Sequence, residues 1–381
     1  MKLTVSIVGL ACLLGSVVLA QDEEGIRQGN FVFKPYGEAE AAYDDRVGNS
    51  DADTYLDTVA GVDLYNLPAA YDVFAGASYG YRSYTDYDAF NDDFYTLRGG
   101  LGTSGNPLKW GASADWTKSL NYNVGYDPST GQQPDSILSD SPNRRFVASG
   151  EVSYDVPLES RTAVRPAYSA QYYHQEFSDS SDAEWQTHRA SVQLRRQSGE
   201  QTVYYAEVGY ALQSNEDEDG YIGSAFVGVE GRISDKTSWE GGVGIATADY
   251  EQSGSDQGFV SRFKANWQAT DKFSAYVFGG NDFEPGYGGN GSRWVYRLGY
   301  GIGWQPSQRC GVGLSMLHDY QDEVGGGTSS DPKIGILRTF FDADAMYKLL
   351  GRVSVGVGYR YVHDELPADQ QVVSAKVVVA Y

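Results

Sequence analysis

The stretch Trp294–Trp304 reads WVYRLGYGIGW and alternates between two kinds of residue. Every second residue is aromatic or aliphatic, whereas the residues between them are mostly glycine, with Arg297 near the centre. Successive side chains of a β-strand point to opposite faces, so this alternation predicts a strand with one continuous apolar face. Trp stands at both ends of that face. Aromatic residues at the two ends of an apolar stripe are typical of strands that cross a membrane.

The same alternation recurs along the rest of the chain. Tyr71–Tyr81, Leu108–Trp116 and Val353–Tyr361 each have a mostly apolar face opposite a face of small or charged residues. A transmembrane strand needs about 9–11 residues, and we mark 18 segments long enough to be one. These segments are 31–43, 54–65, 69–83, 94–103, 107–120, 144–156, 161–176, 184–196, 201–213, 221–232, 237–249, 258–268, 272–281, 293–305, 308–319, 334–347, 352–363 and 371–381.

The connections between these segments alternate between short and long. Short turns such as 104–106 and 306–307 are followed by longer, more acidic connections such as 122–143 and 320–333. Outer-membrane barrels have this arrangement, with short periplasmic turns and longer external loops. The sequence therefore predicts an all-β fold over 31–381, a transmembrane antiparallel up-and-down β-barrel of about 18 strands, with 16 as the alternative. An even number of strands places both termini on the periplasmic side.

The overall composition excludes several classes of protein. The 381 residues include 51 acidic and 29 basic side chains, giving a net charge of −22, yet 14% of the residues are aromatic. Disordered acidic chains are poor in aromatic residues, so the charge does not indicate disorder. Nucleic-acid binding needs a basic face, so we expect no nucleic-acid partner. The mean hydropathy of −0.43 suits a barrel with a water-filled interior in place of a large core.

The N-terminus is predicted to be a secretory signal peptide, residues 1–20. A basic start at Met1–Lys2 precedes the apolar stretch Val5–Val18, and the next residues form a small-residue cleavage site. An uncleaved anchor helix is one alternative, although the apolar stretch is short for a membrane span. A lipoprotein acylated at Cys12 is another. After cleavage, we expect 21–30 to form a short periplasmic segment before the barrel.

The last strand resembles a known assembly signal. The segment 371–381 alternates apolar residues and ends on the aromatic Tyr381, as does the strand that the barrel assembly machinery of bacterial outer membranes recognises. Ala77–Arg82 and Gly356–Tyr361, with similar Gly-Tyr-Arg segments along most of the mature chain, resemble the β-barrel porin 2 family. The resemblance implies a porin-like protein of a Gram-negative outer membrane, with membrane lipid and lipopolysaccharide as partners. A homotrimer is common among such porins and stays open here.

A barrel of this size predicts a channel, because roughly 16–18 strands enclose an aqueous lumen. We expect passive diffusion of small hydrophilic solutes or ions. The predicted lumen-facing bases are Arg82, Arg98, Arg262, Lys264, Arg297, Arg360 and Lys376. The predicted lumen-facing acids are Asp57, Asp72, Asp115, Glu151, Glu207, Glu230, Glu240, Asp342 and Asp344. These residues either set charge selectivity, with a weak preference for cations, or are solvated wall residues without individual roles.

The longest connection, 122–143, follows the fifth predicted strand. In trimeric diffusion porins the third external loop occupies this position and folds inward to narrow the pore. By that resemblance, Asp127, Asp135 and Asp140 are candidates for a constriction, where they would face arginines of the wall. A surface loop that stays outside the pore is the alternative.

Two other functions stay open at this point. One is a structural or export-linked barrel, associated with surface polysaccharide secretion or adhesion. The other is an outer-membrane hydrolase, since His318–Asp319 and His363–Asp364 could act as acid–base pairs near the external strand ends. Adjacent residues of a strand point to opposite faces, which argues against such pairs. We therefore predict no catalytic residue, and no motif indicates a cofactor or a metal site.

Overall fold

The described part of the chain is almost entirely strand. A computed structural model describes residues 25–45, 52–66, 71–87, 91–103, 107–119, 143–177, 183–215, 219–251, 254–285, 292–324, 336–364 and 369–380. The predicted signal peptide 1–20 lies outside these residues, as do Asp127, Asp135 and Asp140. No helix in the described ranges is long and apolar enough to cross a membrane.

Eighteen long strands and two short ones make up the sheet. The strands are β1 Ile26–Gln28, β2 Phe31–Asp44, β3 Asp53–Asn66, β4 Asp72–Tyr84, β5 Asp92–Thr103, β6 Leu108–Ser119, β7 Asn143–Tyr154, β8 Val156–Glu159, β9 Thr162–Phe177, β10 Ala183–Ser198, β11 Thr202–Asn215, β12 Asp219–Ser234, β13 Thr237–Tyr250, β14 Gly254–Thr270, β15 Phe273–Pro285, β16 Ser292–Ser307, β17 Cys310–Val324, β18 Ile336–Leu350, β19 Val353–Asp364 and β20 Gln370–Ala380. The short strand β8 continues β7, since both pair with β9. The other short strand, β1, pairs only with the first residues of β2, across a turn in which Gly29 has a φ of +64°.

The fold is a closed antiparallel barrel. Each long strand pairs with its neighbours along the chain, and β2 pairs with β20 from Tyr36 opposite Ala380 to Asp44 opposite Val372. Closure pairs every long strand with a neighbour on both sides, except that β14 and β15 separate at the long-loop end beyond Ser261 opposite Asn281. The predicted barrel of about 18 strands is confirmed, and each predicted segment coincides with one long strand to within a few residues. The two ends of the barrel differ, and we call them the short-turn end (for example Ser307 to Cys310) and the long-loop end (for example Ser119 to Asn143).

The two faces of the sheet carry different side chains. Arg262 of β14 lies 3.7 Å from Glu207 of β11, a contact that passes over two intervening strands and therefore requires the concave, inner side of the wall. The residues of opposite parity include Val208 and Phe259, each 61% exposed, and these form the outer face. Cross-strand partners share a face, so the register between strands extends this assignment around the barrel.

Aromatic rings on the inner face lie over glycines of the neighbouring strand. Tyr276 covers Gly301, where an added Cβ would lie 2.7 Å from the ring, and Phe278 covers Gly299 in the same way. Both rings occupy space along the wall that a side chain on the neighbouring strand would otherwise fill. The abundance of glycine and aromatic residues therefore has a structural basis on the inner face as well as on the outer one.

Candidate pore lining

The structure places the sequence-predicted wall residues on one face. The register of cross-strand pairs puts all of the following on the inner side: Arg82, Arg98, Arg262, Lys264, Arg297, Arg360, Lys376, Asp57, Asp72, Asp115, Glu151, Glu207, Glu230, Glu240, Asp342 and Asp344. Strand alternation alone produces this grouping, because most exposed apolar residues on these strands have the opposite parity. The exceptions are Phe74 of β4 and Leu350, which follows the irregularity at the end of β18. The ion-pair partners of the predicted wall residues depend on the register between strands.

Arg82 and Asp57 form a buried ion pair near the long-loop end. The guanidinium binds the carboxylate through two hydrogen bonds, with Nε donating to Oδ1 at 2.7 Å and Nη2 to Oδ2 at 2.5 Å. The Arg82 guanidinium also stacks on Tyr55, 3.8 Å from the ring centroid. Only 8% of the Arg82 side chain is exposed. A paired charge with an aromatic neighbour is tolerated where an isolated one would not be.

A second charged cluster lies on the opposite arc of the wall. Arg262 contacts Glu240 at 3.2 Å and Glu207 at 3.7 Å, and its Nη2 donates to the Tyr205 hydroxyl at 3.1 Å. Arg189 lies 3.6 Å from Glu207, so this carboxylate is shared between two arginines. The cluster combines residues of β10, β11, β13 and β14 and forms a charged surface facing the interior.

Carboxylates exceed bases among the predicted wall residues that form no ion pair. Arg360 binds Asp342 at 2.7 Å, and Arg98 binds Asp63 at 2.8 Å. Within the described part of the chain, four of the predicted acids and one predicted base form no ion pair: Asp72, Asp115, Glu151, Asp344 and Lys376. The arginines are thus largely neutralised, while several carboxylates keep their charge.

Two of the cavities along the inner face contain the ion pairs described above. The larger, of about 610 Å³, is lined by Asp57, Arg82, Phe278, Asp342 and Arg360 among others. The smaller, of about 360 Å³, has Arg189, Glu207, Arg262, Phe278 and Phe283 in its wall. Both have the size of spaces that hold small molecules. Phe278 borders both, so the two cavities meet at the β15 wall.

His318 and Asp319 do not form the adjacent acid–base pair that the sequence left open, and the Asp364 side chain lies outside the described part of the structure. His318 Nδ1 lies 3.0 Å from the Thr339 hydroxyl on the outer face, whereas Asp319 lies on the inner face, 3.1 Å from Arg297. His363 Nδ1 instead approaches Asp369 Oδ1 at 2.5 Å. No group of His, Cys, Asp and Glu in the described ranges is arranged to hold a metal ion.

The cluster around Asp369 was missed by the sequence, because its members lie on either side of a connection. Tyr361 donates to Asp369 Oδ2 at 2.7 Å, and His363 contacts the other carboxylate oxygen. The Tyr361 hydroxyl and then the His363 imidazole hold the pKa of the Asp369 carboxyl below its ordinary value. The alternation of β19 could have predicted that Tyr361 and His363 share a face, but not that Asp369 reaches them.

The expected exposure of Trp294 on the outer face is wrong. Trp294 begins the apolar stripe of β16, which predicts that it faces lipid, yet it is only 9% exposed. Its indole Nε1 donates to Asp256 Oδ2 at 2.9 Å. The ring is buried because the end of its hairpin lies against another part of the wall.

Comparisons with known proteins give a likeness of shape only. No protein-family model and no curated protein matches the chain in sequence. The copper transporter OprC has 9% identity and a TM-score of 0.48, over 94% of this chain and 82% of that one. The outer membrane protein opdK from Pseudomonas aeruginosa has 12% identity and a TM-score of 0.43, over 92% and 98%. The FrpB iron transporter from Neisseria meningitidis has 10% identity and a TM-score of 0.43, and the match covers 91% of this chain. The same match covers only 64% of the FrpB chain.

Proposed function

We propose that the chain is a porin-like channel of the bacterial outer membrane, through which small hydrophilic solutes or ions diffuse passively. The observation that carries this proposal is a closed barrel whose inner face is charged and whose outer face is apolar. A barrel with this distribution of side chains suits lipid outside and water inside. We further propose that both termini lie on the periplasmic side, since β2 begins and β20 ends at the short-turn end.

The outer face supports the membrane location. Val208, Ile245 and Val357 are 61%, 61% and 59% exposed on the middle of their strands. Trp267 and Trp304 are half exposed towards the short-turn end. Apolar surface in water costs roughly 25 cal/mol per Å², and a band of this kind around a whole molecule needs a lipid partner. Outer-membrane lipid and lipopolysaccharide are therefore the proposed surroundings.

The inner face supports diffusion of hydrophilic solutes with a weak preference for cations. Arginines on this face are held by carboxylates, as in the Arg262–Glu240 and Arg360–Asp342 pairs. Asp115 and Glu151 remain as carboxylates that form no ion pair with any described base. A small surplus of negative charge attracts cations without excluding neutral solutes.

The final strand supports assembly by the barrel assembly machinery. Residues 371–380 of the predicted signal 371–381 lie in β20, which pairs with β19 on one side and with β2 on the other, and Tyr381 lies outside the described residues. This strand therefore closes the barrel, and it is the proposed contact for the machinery. A homotrimer remains a proposal that chemical cross-linking in the native membrane would test.

Liposome swelling with a series of sugars tests the proposed function. Purified full-length mature protein in vesicles should admit small sugars quickly and larger ones progressively more slowly. Heat-modifiable migration on a gel serves as the control that the barrel is folded. A folded barrel that admits no sugar would contradict the channel and favour the structural or export-linked alternative.

A further inference from the structure

The hairpin of β15 and β16 separates from its neighbour at the long-loop end. On one side, β14 pairs with β13 up to Gly254 opposite Tyr250. On the other side, β14 pairs with β15 only up to Ser261 opposite Asn281. The ends of β15 and β16 from this point, residues 281–285 and 292–296, pair with each other and form what we call the hairpin tip. On its far side the tip stays paired with β17, as far as Ser292 opposite Val324, so it separates from β14 alone.

The hairpin tip lies on the inner side of β14. Phe283 and Trp294 share the strand face of Tyr296 and belong by parity to the outer side, yet both are buried. Trp294 binds Asp256, and its ring takes up the space where a Cβ on Gly258 would project. Gly258 pairs with the fully buried, inward-facing Ala246. The outer face of the tip therefore packs against the inner face of the wall.

Several contacts hold the tip in this position. Phe283 and Trp294 have ring centroids 3.8 Å apart and pack with Tyr250 and Val260 of the wall. Where the backbone ladder between β14 and β15 ends, the Asn281 side chain replaces it. Its amide donates to the Phe259 carbonyl, and its oxygen accepts a hydrogen bond from the Ser261 hydroxyl at 2.7 Å. A buried backbone carbonyl that loses its strand partner needs such a substitute.

Gly280 marks the point where the hairpin separates from β14. A Cβ at this residue would collide with the backbone carbonyl of Ser261 on β14. The two strands therefore approach closely just before they separate, and glycine permits that approach. On the other side of the hairpin, Arg297 at the base of the tip is held by Asp319 of β17 at 3.1 Å.

We propose that the hairpin tip is the constriction of the pore, and that Phe283 and Trp294 are the residues that position it. This inference rests on the proposed function and deepens it, because it assigns the size limit for solutes to the hairpin tip. Phe283 and Val295 line the smaller cavity opposite Arg189, Glu207 and Arg262. A solute passing this point lies between the tip and a charged arc of the wall. Small polar molecules are thus admitted, and bulky ones are excluded.

Single-channel recording on Phe283→Ala, Trp294→Ala and the double variant tests the role of the tip. Conductance scales with the open cross-section, so release of the tip should raise it about twofold and admit larger sugars. Trp304→Ala is the matched control, since Trp304 lies on the same strand face at the short-turn end and is 51% exposed. Unchanged conductance in folded tip variants would overturn the proposal.

Thiol accessibility tests the position of the tip without relying on conduction. In a Cys310→Ser background, Ala248→Cys should be protected from a small water-soluble thiol reagent, because Ala248 is 1% exposed and packs in the cluster that contains Phe283 and Trp294. Adding Phe283→Ala and Trp294→Ala should make this thiol reactive, whereas the control Ser224→Cys, in the wall of the smaller cavity, should react in both backgrounds. Reaction of Ala248→Cys with the tip residues intact would overturn the proposal. If the thiol is protected but the wild type conducts nothing, the channel function fails, and the constriction with it, while the inward packing of the tip stands.

Discussion

Arg82 and Asp57 bring opposite charges into a nearly dry part of the wall, and neither is stable there alone. Their two hydrogen bonds and the Tyr55 ring compensate for the lost water. Removing one member of a buried pair leaves the other charge uncompensated, which is more damaging than loss of an exposed pair. The ion pair therefore links β3 to β4 by a contact that tolerates little change.

Arg82→Ala is expected to destabilise the barrel by about 3–5 kcal/mol because Asp57 stays buried without a partner. The control is Arg360→Ala, whose pair with Asp342 is partly exposed and should contribute only about 0–1 kcal/mol. Urea unfolding of both variants in detergent or lipid measures the difference. Equal losses in the two variants would contradict this account of the ion pair.

Glycine on the inner face makes room for a ring on the next strand. An alanine at Gly301 would place a Cβ 2.7 Å from Tyr276, so the ring must move. Gly301→Ala should therefore destabilise the barrel by about 1–3 kcal/mol, the usual cost of overpacking. Gly241→Ala is the control, because nothing lies within 4 Å of the added Cβ. The two variants are compared by their unfolding midpoints, and similar midpoints would count against the ring packing.

The Asp369 cluster predicts a pH dependence of stability. Since hydrogen bonds from Tyr361 and His363 lower the pKa of Asp369 in the folded protein, the carboxylate stabilises the fold above its unfolded-state pKa. That contribution is lost as the pH falls through the lower folded-state pKa. Asp369→Asn should thus lower the unfolding midpoint at pH 7, and the gap to the wild type should close in strong acid. A gap that is constant with pH would contradict this assignment.

Alternation along a strand predicts the face on which a side chain lies, but not its partners. Arg82 and Asp57 can be assigned to a common face from their own strands, whereas their pairing depends on the register between β3 and β4. For Trp294, alternation predicts the face of the strand correctly but does not predict the burial of the side chain. Its parity on β16 is as expected, but the β15–β16 hairpin has separated from β14 at this level and packs on the inner side of β14, so an outward-facing residue becomes buried.

At the level of strands and turns, residue alternation and turn composition predict the barrel. The reason is that the alternation of each strand can be recognised from that strand's own residues. The boundaries are least accurate at β17, predicted as 308–319 but observed as Cys310–Val324, and at β14, predicted as 258–268 but observed as Gly254–Thr270. Gly254 to Gln257 are polar or glycine and lack an apolar stripe, so they resemble a loop. They form a strand because the backbone of β13 pairs with them.

The two candidate constrictions make different predictions. If the hairpin tip narrows the pore, shortening the connection 122–143 should leave single-channel conductance close to the wild-type value. If that connection folds inward, as the resemblance to trimeric porins implied, conductance should rise. Comparison of this deletion with Trp294→Ala in one bilayer system separates the two elements. A rise with the deletion alone would assign the constriction to 122–143.

At the scale of the whole molecule, the net charge of −22 is divided between a wall and its connections. Among the predicted pore-lining residues, the arginines are all held in ion pairs. Carboxylates without an ion pair to any described base, such as Glu151 and Asp344, leave these residues with a modest surplus of negative charge. Composition alone predicts the negative sign of the net charge. It does not predict which charges are paired, because the pairing depends on the register between strands. The sequence also predicted closure only through an even strand count, whereas the β2–β20 pairing demonstrates it.

Whether this barrel conducts is measured by planar-bilayer recording under a salt gradient. The folded wild-type protein should give discrete conductance steps, with a small reversal potential of the sign that favours cations. A correctly folded barrel that inserts into the bilayer and shows no conductance steps would rule out the channel.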